Sequence, residues 1–455
     1  MPRTPGLIAL CAALVTGFIA VGAPWAQQPP QPPVQPTPGA SPQPGVTIRI
    51  DVSGAGGLKK LNIVVPEFTS TGPDPGLGKS LSQVVAQDLT FSGLFTVVTP
   101  PSPLPVSDAE ALKKQFADFA STGAHAVLYA GLTTRGERVD AEMRLYDLTA
   151  AEARPIATKT VGAATAQSRR LAHRIADEVV LQFTGEMGVA DTKVAFVTGR
   201  TGAKEITVSD YDGFGAGSVT RNGSINLSPV WSPDARSLAY TSYKNGYPDL
   251  FRLFPFERRP EQTLAAFSGI NSSPAWSPDG SQIALTLSKD GNPEIYVLTV
   301  GTGVLRRLTR HAGIDTEPTW SPTGRQLAFV SNRAGVPHVF VMDAEGANVR
   351  QVTFGGHHTQ PRWSPKGDMI AFTARHGNHD IWAVGSDGSN PRRLTAGPGD
   401  NESATWAPNG RHLMFQANRL GAWQIFTMLA DGSEQRPITR GSVECTSPSW
   451  SSRLP

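Results

Sequence analysis

Six tryptophans, Trp231, Trp276, Trp320, Trp363, Trp406 and Trp450, recur at intervals of 45, 44, 43, 43 and 44 residues. A self-similar period of about 40 to 45 residues is the length of a four-stranded propeller blade. Helical solenoid repeats would instead carry apolar stripes of period 3.6, and the chain has none in this region. Most of these tryptophans open the same punctuation: Trp231-Ser-Pro-Asp-Ala, Trp276-Ser-Pro-Asp-Gly, Trp320-Ser-Pro-Thr-Gly, Trp363-Ser-Pro-Lys-Gly and Trp406-Ala-Pro-Asn-Gly. Proline presets φ at the second position of a type I turn, and Gly suits the fourth. The spacing therefore predicts that each Trp ends one strand and the turn after it starts the next.

From Trp276 a whole blade can be read, with Ile283 to Leu287 as its second strand, Glu294 to Leu298 as its third and Leu305 to Leu308 as its fourth. Lys193 to Ser228 supplies second, third and fourth strands with no Trp strand before them, whereas Thr446 to Trp450 is a Trp strand with nothing after it. The last strand is thus expected to complete the first blade. The expected fold is an α/β N-terminal domain followed by an all-β six-bladed β-propeller over residues 191–455, closed by the C-terminal strand so that no open edge remains.

Residues 46–187 carry the α/β pattern. Leu61-Asn-Ile-Val-Val reads as a buried strand, and Leu77, Leu81, Val84, Val85 and Leu89 fall on one helical face. Ser107 with Glu110 forms a capping-box signature for a second helix that buries Leu112, Phe116 and Phe119. Strands over Ala126 to Leu132 and Val139 to Leu148 follow, then a helix from Thr165 to Phe183. The pattern reads as a small, separate domain.

Before it lie two segments that are not part of either fold. Arg3 precedes an apolar stretch from Leu7 to Ala23, the layout of a cleaved secretory signal over residues 1–26, with cleavage after Ala23 or Ala26. Residues 27–45 hold eight prolines in nineteen positions, a Pro/Gln-rich spacer of semi-rigid polyproline character. Removing the signal takes Cys11 with it and leaves Cys445 as the only thiol, so no internal disulfide can form. An exported chain without disulfides suits the bacterial envelope.

Several chemistries are excluded. A net charge of +3 with interspersed signs lacks the dense basic face of a nucleic-acid binder. Gly72-Pro-Asp-Pro-Gly-Leu-Gly-Lys-Ser80 superficially resembles a phosphate loop, but its first glycine would fall on Pro73, and a turn with a helix start is the simpler reading. No Gly-x-Ser-x-Gly elbow accompanies the propeller. His357, His358, His376 and His379 are candidates for a metal site or a pH-responsive patch. Asp315, Glu317 and Glu402, near the expected channel mouth, are candidates for a hard cation such as Ca²⁺, and no cofactor is required. Strand order puts the loops before each Trp on the same face as the loops between second and third strands. These loops (Asn271 to Ser273, Asp315 to Glu317, His357 to Gln360, Asp400 to Ser403 and Val443 to Thr446) make that face the expected binding surface.

The Val46-Thr-Ile-Arg-Ile-Asp opening, Ile63-Val-Val-Pro, Val208-Ser-Asp-Tyr-Asp-Gly213, the Trp-Ser-Pro-Asp repeats and Thr316-Glu-Pro-Thr-Trp320 together resemble the TolB family from Val46 to the C-terminus. The resemblance implies a periplasmic, non-catalytic member of the Tol-Pal envelope system, supporting outer-membrane integrity and constriction at division. Its implied partners are the peptidoglycan-associated lipoprotein Pal, on the propeller loop face, and TolA of the inner-membrane complex, on the segment opening the mature chain. By position the Pal surface would comprise Ile270, Asn271, Ser273, Asp315, Thr316, Glu317, Thr359, Gln360, Glu402 and Ser403. The TolA segment would be Val46, Ile48, Ile50 and Val52 with the residues between them. The Pro-rich spacer preceding it departs from the family pattern. An exported propeller enzyme and a small-ligand sensor using the central channel are the competing classes.

Overall fold

The computed structural model describes residues 60–99, 108–150, 155–200 and 202–455. The signal, the Pro-rich spacer, the Val46 to Val52 segment and Ser107 lie outside the described residues.

The α/β part is a mixed sheet of β1 (Leu61–Val64), β2 (Thr69–Thr71), β3 (Phe95–Val97), β4 (Ala126–Arg135), β5 (Arg138–Asp147) and β6 (Pro155–Ala164), in the order β3-β1-β4-β5-β6 with β2 also beside β4. β1 pairs in parallel with β3 and β4, and the β4-β5-β6 meander is antiparallel. Alternation sorts the side chains. Leu128, Ala130, Ala141, Met143 and Leu145 face α1 (Leu77–Phe91) and α4 (Ser168–Thr184), whose Leu81, Val85, Leu89, Leu171, Ile175 and Val179 are wholly buried against them. Val127, Tyr129 and Tyr146 face the opposite way, onto α2 (Ala109–Lys113) and α3 (Phe116–Ser121).

The second helix and its cap differ from the sequence reading, whereas the Gly72 to Ser80 stretch is the turn and helix start that reading favoured. The expected helix through Leu112 and Phe119 is two short helices, and its cap is Asp108, whose Oδ1 accepts from the backbone N–H groups of Glu110 and Ala111 at 3.0 and 2.8 Å. The Gly72 to Ser80 stretch is a turn entering α1. A Cβ at Gly78 would lie 2.0 Å from the Phe68 carbonyl oxygen, so the glycine serves close packing of helix on strand rather than a phosphate.

Six four-stranded antiparallel sheets form the propeller. Blade one joins Glu444–Arg453 to Thr192–Arg200, Ala203–Asp210 and Gly217–Ser218, so the last strand closes the ring as expected. Blades two to six begin on Asn226–Trp231, Asn271–Trp276, Asp315–Trp320, His357–Trp363 and Asn401–Trp406. Each Trp is buried between blades.

The α/β layer packs on the turn side of the ring. One apolar cluster runs from the sheet through Leu89 and Val179 to Val194, Phe196, Tyr211, Met414, Ile425 and Trp450. The C-terminal end of α1 is seated on the propeller: the Phe91 carbonyl accepts from Arg436 Nη2 at 2.9 Å and meets His412 Nε2 at 3.1 Å, so propeller donors satisfy an end that helical geometry leaves open. Gly93 follows at φ +73°, where a Cβ would press on Leu429 at 3.0 Å. Among the described residues no helix is long and apolar enough to cross a membrane.

Candidate functional site at the loop face and channel

The Trp strands are innermost and line a narrow axial cavity of about 70 Å³. Each carries one residue in the left-handed region, three positions before its Trp: Ser228, Ser273, Glu317, Gln360, Ser403 and Ser447, at φ between 52° and 55°. All are non-glycine, and all but Ser403 precede a proline. Such backbone costs about 1 kcal/mol or more per residue, so six in a ring persist only because their surroundings hold them. The hold is a belt of hydrogen bonds from blade to blade. The bulged N–H of Glu317 donates to Thr286 Oγ1 at 3.2 Å, that of Gln360 to Glu317 Oε2 at 2.7 Å, that of Ser403 to Gln360 Oε1 at 3.0 Å, and that of Ser447 to Gln416 Oε1 at 2.7 Å. Each bulge interrupts the ladder with the second strand, as at Thr316/Thr319 and Thr359/Arg362.

Several residues expected on loops are therefore placed elsewhere. Ser273, Glu317, Gln360 and Ser403 belong to the channel wall. Asn271 and Asp315, expected on the open surface, are fully buried; Asn271 Nδ2 donates to the Pro248 carbonyl at 3.1 Å, and Asp315 Oδ2 accepts from Arg333 Nη2 at 2.7 Å. Thr316, Thr359 and Glu402 are half-buried beside the bulges, and Ile270 is exposed at the loop tip.

Arg362 sits two residues after the bulge, where the other blades have Val230, Ala275, Thr319, Thr405 and Ser449. It lines both the axial cavity and a wider mouth of about 250 Å³ on the turn side. Burial pushes Glu317 above the ordinary carboxylate range, opposed by the Gln360 N–H and the Arg362 charge; burial likewise lowers Arg362, opposed by Glu317. The three carboxylates considered for a cation do not converge. Asp315 is committed to Arg333, and Glu402 lies 3.2 Å from His379 Nδ1 and accepts from Gln416 at 3.0 Å.

The four candidate histidines divide into two places. His379 stands between Asp400, at 3.1 Å, and Glu402. His358 is buried with His338, a residue the sequence reading did not include, at 3.2 Å between their Nδ1 atoms, and with His376 beyond it at 6.1 Å between ring centroids. His357 is exposed next to them. Among the described residues no group of three His, Cys, Asp or Glu stands close enough to hold a metal ion.

Beyond Ile270, which the sequence reading placed on this face, the rim above the channel carries apolar side chains that reading missed. Most of the large exposed apolar side chains, including Tyr247, Ile270, Ile314, Val336, Phe354 and Leu420, lie in the loops and hairpin ends of this face, with Tyr247 at 73% and Phe354 at 72% exposure. Their local signal is an apolar residue beside a loop glycine, as at Gly246-Tyr247, Gly335-Val336, Phe354-Gly355 and Leu420-Gly421, where no strand alternation can bury it. The turn side, by contrast, is partly covered by α1 and α4. A further open cleft of about 850 Å³ on the α/β sheet is lined by Arg138, Asp140, Glu142 and Arg144, whose charges already pair, Arg138 with Asp140 at 2.8 Å and Arg144 with Glu142 at 2.6 Å.

A polar cluster at the junction of the two parts was also not anticipated. Asp88 on α1 accepts from Tyr211 OH at 2.6 Å and meets His173 Nδ1 of α4 at 2.7 Å, while His173 Nε2 is 3.6 Å from Asp210. Lys193 and Arg169 also bond Asp210, and Arg169 reaches Asp212. Burial works to lower His173, but the Asp210 and Asp88 carboxylates override it and hold the imidazole up to about 9. Burial works to raise Asp210, but His173 and Lys193 bring it down to about 2. The Ser209-Asp-Tyr-Asp212 motif thus fastens the propeller to both helices.

The family model of the TolB beta propeller domain matches residues 180–454, and that of the TolB amino-terminal domain matches residues 48–154. Among curated relatives, the Tol-Pal system protein TolB of Desulfosudis oleivorans is 37% identical over 259 residues, 56% of this chain and 58% of that protein. The Tol-Pal system protein TolB of Roseobacter denitrificans is 33% identical over 214 residues, 45% of this chain and 47% of that protein. The chain thus spans about half the length of the curated relatives it matches. The crystal structure of TolB from Acinetobacter baumannii superimposes with a TM-score of 0.77 over 89% of this chain and 98% of that one, at 24% identity, a likeness of fold.

Proposed function

The chain belongs to the TolB family, and on that premise we propose that it is a non-catalytic periplasmic docking protein of the Tol-Pal system whose propeller loop face receives Pal. The observation that carries this reading is the rim of exposed apolar side chains on the loop face, opposite the side occupied by the α/β layer. Large apolar groups gathered on loops of a rigid scaffold favour a protein partner, because an aromatic or aliphatic anchor gains most when a partner excludes water around it. A small-molecule site would instead need a roomy apolar pocket, and the axial cavity of about 70 Å³ is narrow and polar.

The Val46 to Val52 segment contacts TolA in this reading, adding as a strand through its alternating Val46, Ile48, Ile50 and Val52. Holding Pal at one end and the inner-membrane complex at the other is how such a protein supports outer-membrane integrity and constriction during division. Its export relies on the N-terminal signal.

The test is capture of a soluble Pal domain by the purified protein. Ile270→Asp with Phe354→Asp is expected to abolish capture while the fold survives. Val304→Asp, an exposed apolar position on the turn side, is expected to leave it intact. Failure of the wild-type protein to bind, or equal loss in both variants, would refute the assignment.

A further inference from the structure

In four of the blades a residue five positions before the Trp of the inner strand clasps the preceding blade. In blade two Asn226 Nδ2 donates to Glu205 Oε2 at 3.0 Å, and in blade six Asn401 Nδ2 donates to Asp380 Oδ1 at 3.0 Å. Asn271 holds the Pro248 carbonyl in the same way. These clasps join an amide to a carboxylate or carbonyl, and neither kind of pair changes charge near neutral pH. Between blades four and five the equivalent positions are His338 and His358, both at most 5% exposed, with their Nδ1 atoms 3.2 Å apart.

We propose that the His338–His358 pair is a proton-operated clasp: closed while both imidazoles are neutral, released on acidification, and thereby regulating the loop face. The regulatory consequence rests on the partner-docking reading of that face; the clasp itself does not.

The geometry gives the mechanism. A neutral imidazole offers one N–H and one lone pair, so two can share a single Nδ1–H···Nδ1 bond. The first proton taken up puts an uncompensated charge into the buried pair, and once both imidazoles are protonated two N–H groups point at each other with no acceptor. The groups turned towards His358 are His338 from blade four, His376 from the second strand of blade five and His357 from its own strand, and Phe372 packs edge-on at 5.1 Å. None of these groups carries a negative charge, so none offsets the new one. Gly356, at φ +73°, lies over the rings; a Cβ there would be 2.9 Å from His376 Cε1 and 3.3 Å from His358 Nε2. The loop carrying exposed Phe354 is therefore seated directly on the histidines.

Release would reach the channel as well. Two residues on, Gln360 donates to Glu317 and accepts from Ser403, the links that carry the belt across blades four, five and six.

Burial, then the charges of His338, His376 and His357, push His358 down to about 4. Because this value lies below the ordinary 6.5, the stabilisation is complete above 6.5 and is lost as pH falls towards 4. Between pH 7.5 and pH 5 the opening constant of the clasp should rise about 30-fold from His358 alone.

Hydrogen exchange reads this directly. The His358 N–H donates to the Pro337 carbonyl at 2.9 Å, and the Asn271 N–H donates to the Pro248 carbonyl at 3.1 Å in the corresponding clasp of blade three. After correction for intrinsic exchange, the protection of His358 is expected to fall about 30-fold from pH 7.5 to pH 5, with Asn271 unchanged. The double variant His338→Asp/His358→Asn, which installs the Asp380–Asn401 chemistry, should be flat, and His358→Asn alone serves if the double variant does not fold. Equal protection of His358 at both pH values, or an equal fall at Asn271, overturns the proposal. In parallel, wild-type capture of a soluble Pal domain should weaken at pH 5 while the double variant binds alike at both. If capture is pH-independent although the clasp opens, regulation of the face is overturned. If nothing is captured at pH 7.5, the docking reading fails, and the exchange result still decides the clasp.

Discussion

Raising the pH from 7 to 9 should loosen the junction between the α/β layer and the propeller through one residue, His173. It lies on α4 at 3% exposure, 2.7 Å from Asp88 and 3.6 Å from Asp210, and is held up to about 9. A folded value above the ordinary 6.5 means that the stabilisation is full below 6.5 and disappears as pH rises through 9. At about 1.4 kcal/mol per unit the whole shift is worth about 3 kcal/mol, of which about 2 kcal/mol is lost between pH 7 and pH 9. With an unfolding entropy of roughly 2 cal/mol/K per residue, a chain of this size should melt roughly 2 to 3 °C lower at pH 9 on this account. Asp177, raised to about 6 chiefly by its burial, has finished titrating below this window, and Tyr211 is pushed far above it by burial and by Asp88. The assay is calorimetric melting across pH 7 to 9 of wild type against His173→Gln, which can still donate to Asp88 but cannot titrate. The wild-type advantage should shrink steadily with pH. An advantage that stays constant within about 0.5 kcal/mol would mean that His173 is neutral in the fold and that the charge argument is wrong.

Three further outcomes follow from the same geometry. Tyr211→Phe keeps the edge contact with Phe91 at 4.5 Å but removes the O–H to Asp88, and should cost about 1.5 to 3 kcal/mol by chemical denaturation. Arg362→Ala should cost about 1 to 2 kcal/mol by leaving Glu317 buried without its counter-charge, and most of that loss should return in Arg362→Ala/Glu317→Gln; a double variant no better than the single one would refute the coupling. Deleting residues 444–455 removes the inner strand of blade one and Trp450, and should abolish cooperative unfolding followed by near-ultraviolet circular dichroism.

The six blades were legible because their chemistry is local. Trp, Ser, Pro and a turn residue repeat within five positions, and the strands between them alternate. The inner strands were harder to read, since the stretch before each Trp looks like a loop. A polar residue ahead of proline ordinarily marks a turn or an extended residue. Here the residue at φ near 53° is a bulge inside a strand, and only the blade-to-blade bonds of Glu317, Gln360 and Ser447 explain why the backbone accepts it. β6 escaped notice because it is an edge strand whose only buried residue is Val161, so its burial does not alternate. The Asp88, His173 and Tyr211 cluster could not be read at all. Its members are 85 and 123 residues apart in pairs, and Asp88 and His173 sit on helix faces that otherwise look apolar.

The internal repeat offers a way to tell scaffold from function without any second sequence. Six copies of one motif fold under one set of constraints, so a residue required by the blade itself should recur in most of them. The buried Trp does, and so does the left-handed bulge. The amide that opens the inner strand recurs at Asn226, Asn271 and Asn401. A residue that appears in one blade alone, at a position where the others manage with something smaller or uncharged, is not needed to build a blade. Arg362 among Val, Ala, Thr and Ser is such a case, and so is the paired His338 and His358. Both carry a desolvation cost, and both lie in blade five or at its boundary with blade four. The chain has therefore concentrated its departures from the repeat on one sector of the ring, next to the belt residues Glu317 and Gln360 and under the exposed Phe354. If the loop face is where a partner docks, this sector, rather than the whole circumference, is where its binding should respond most to substitution.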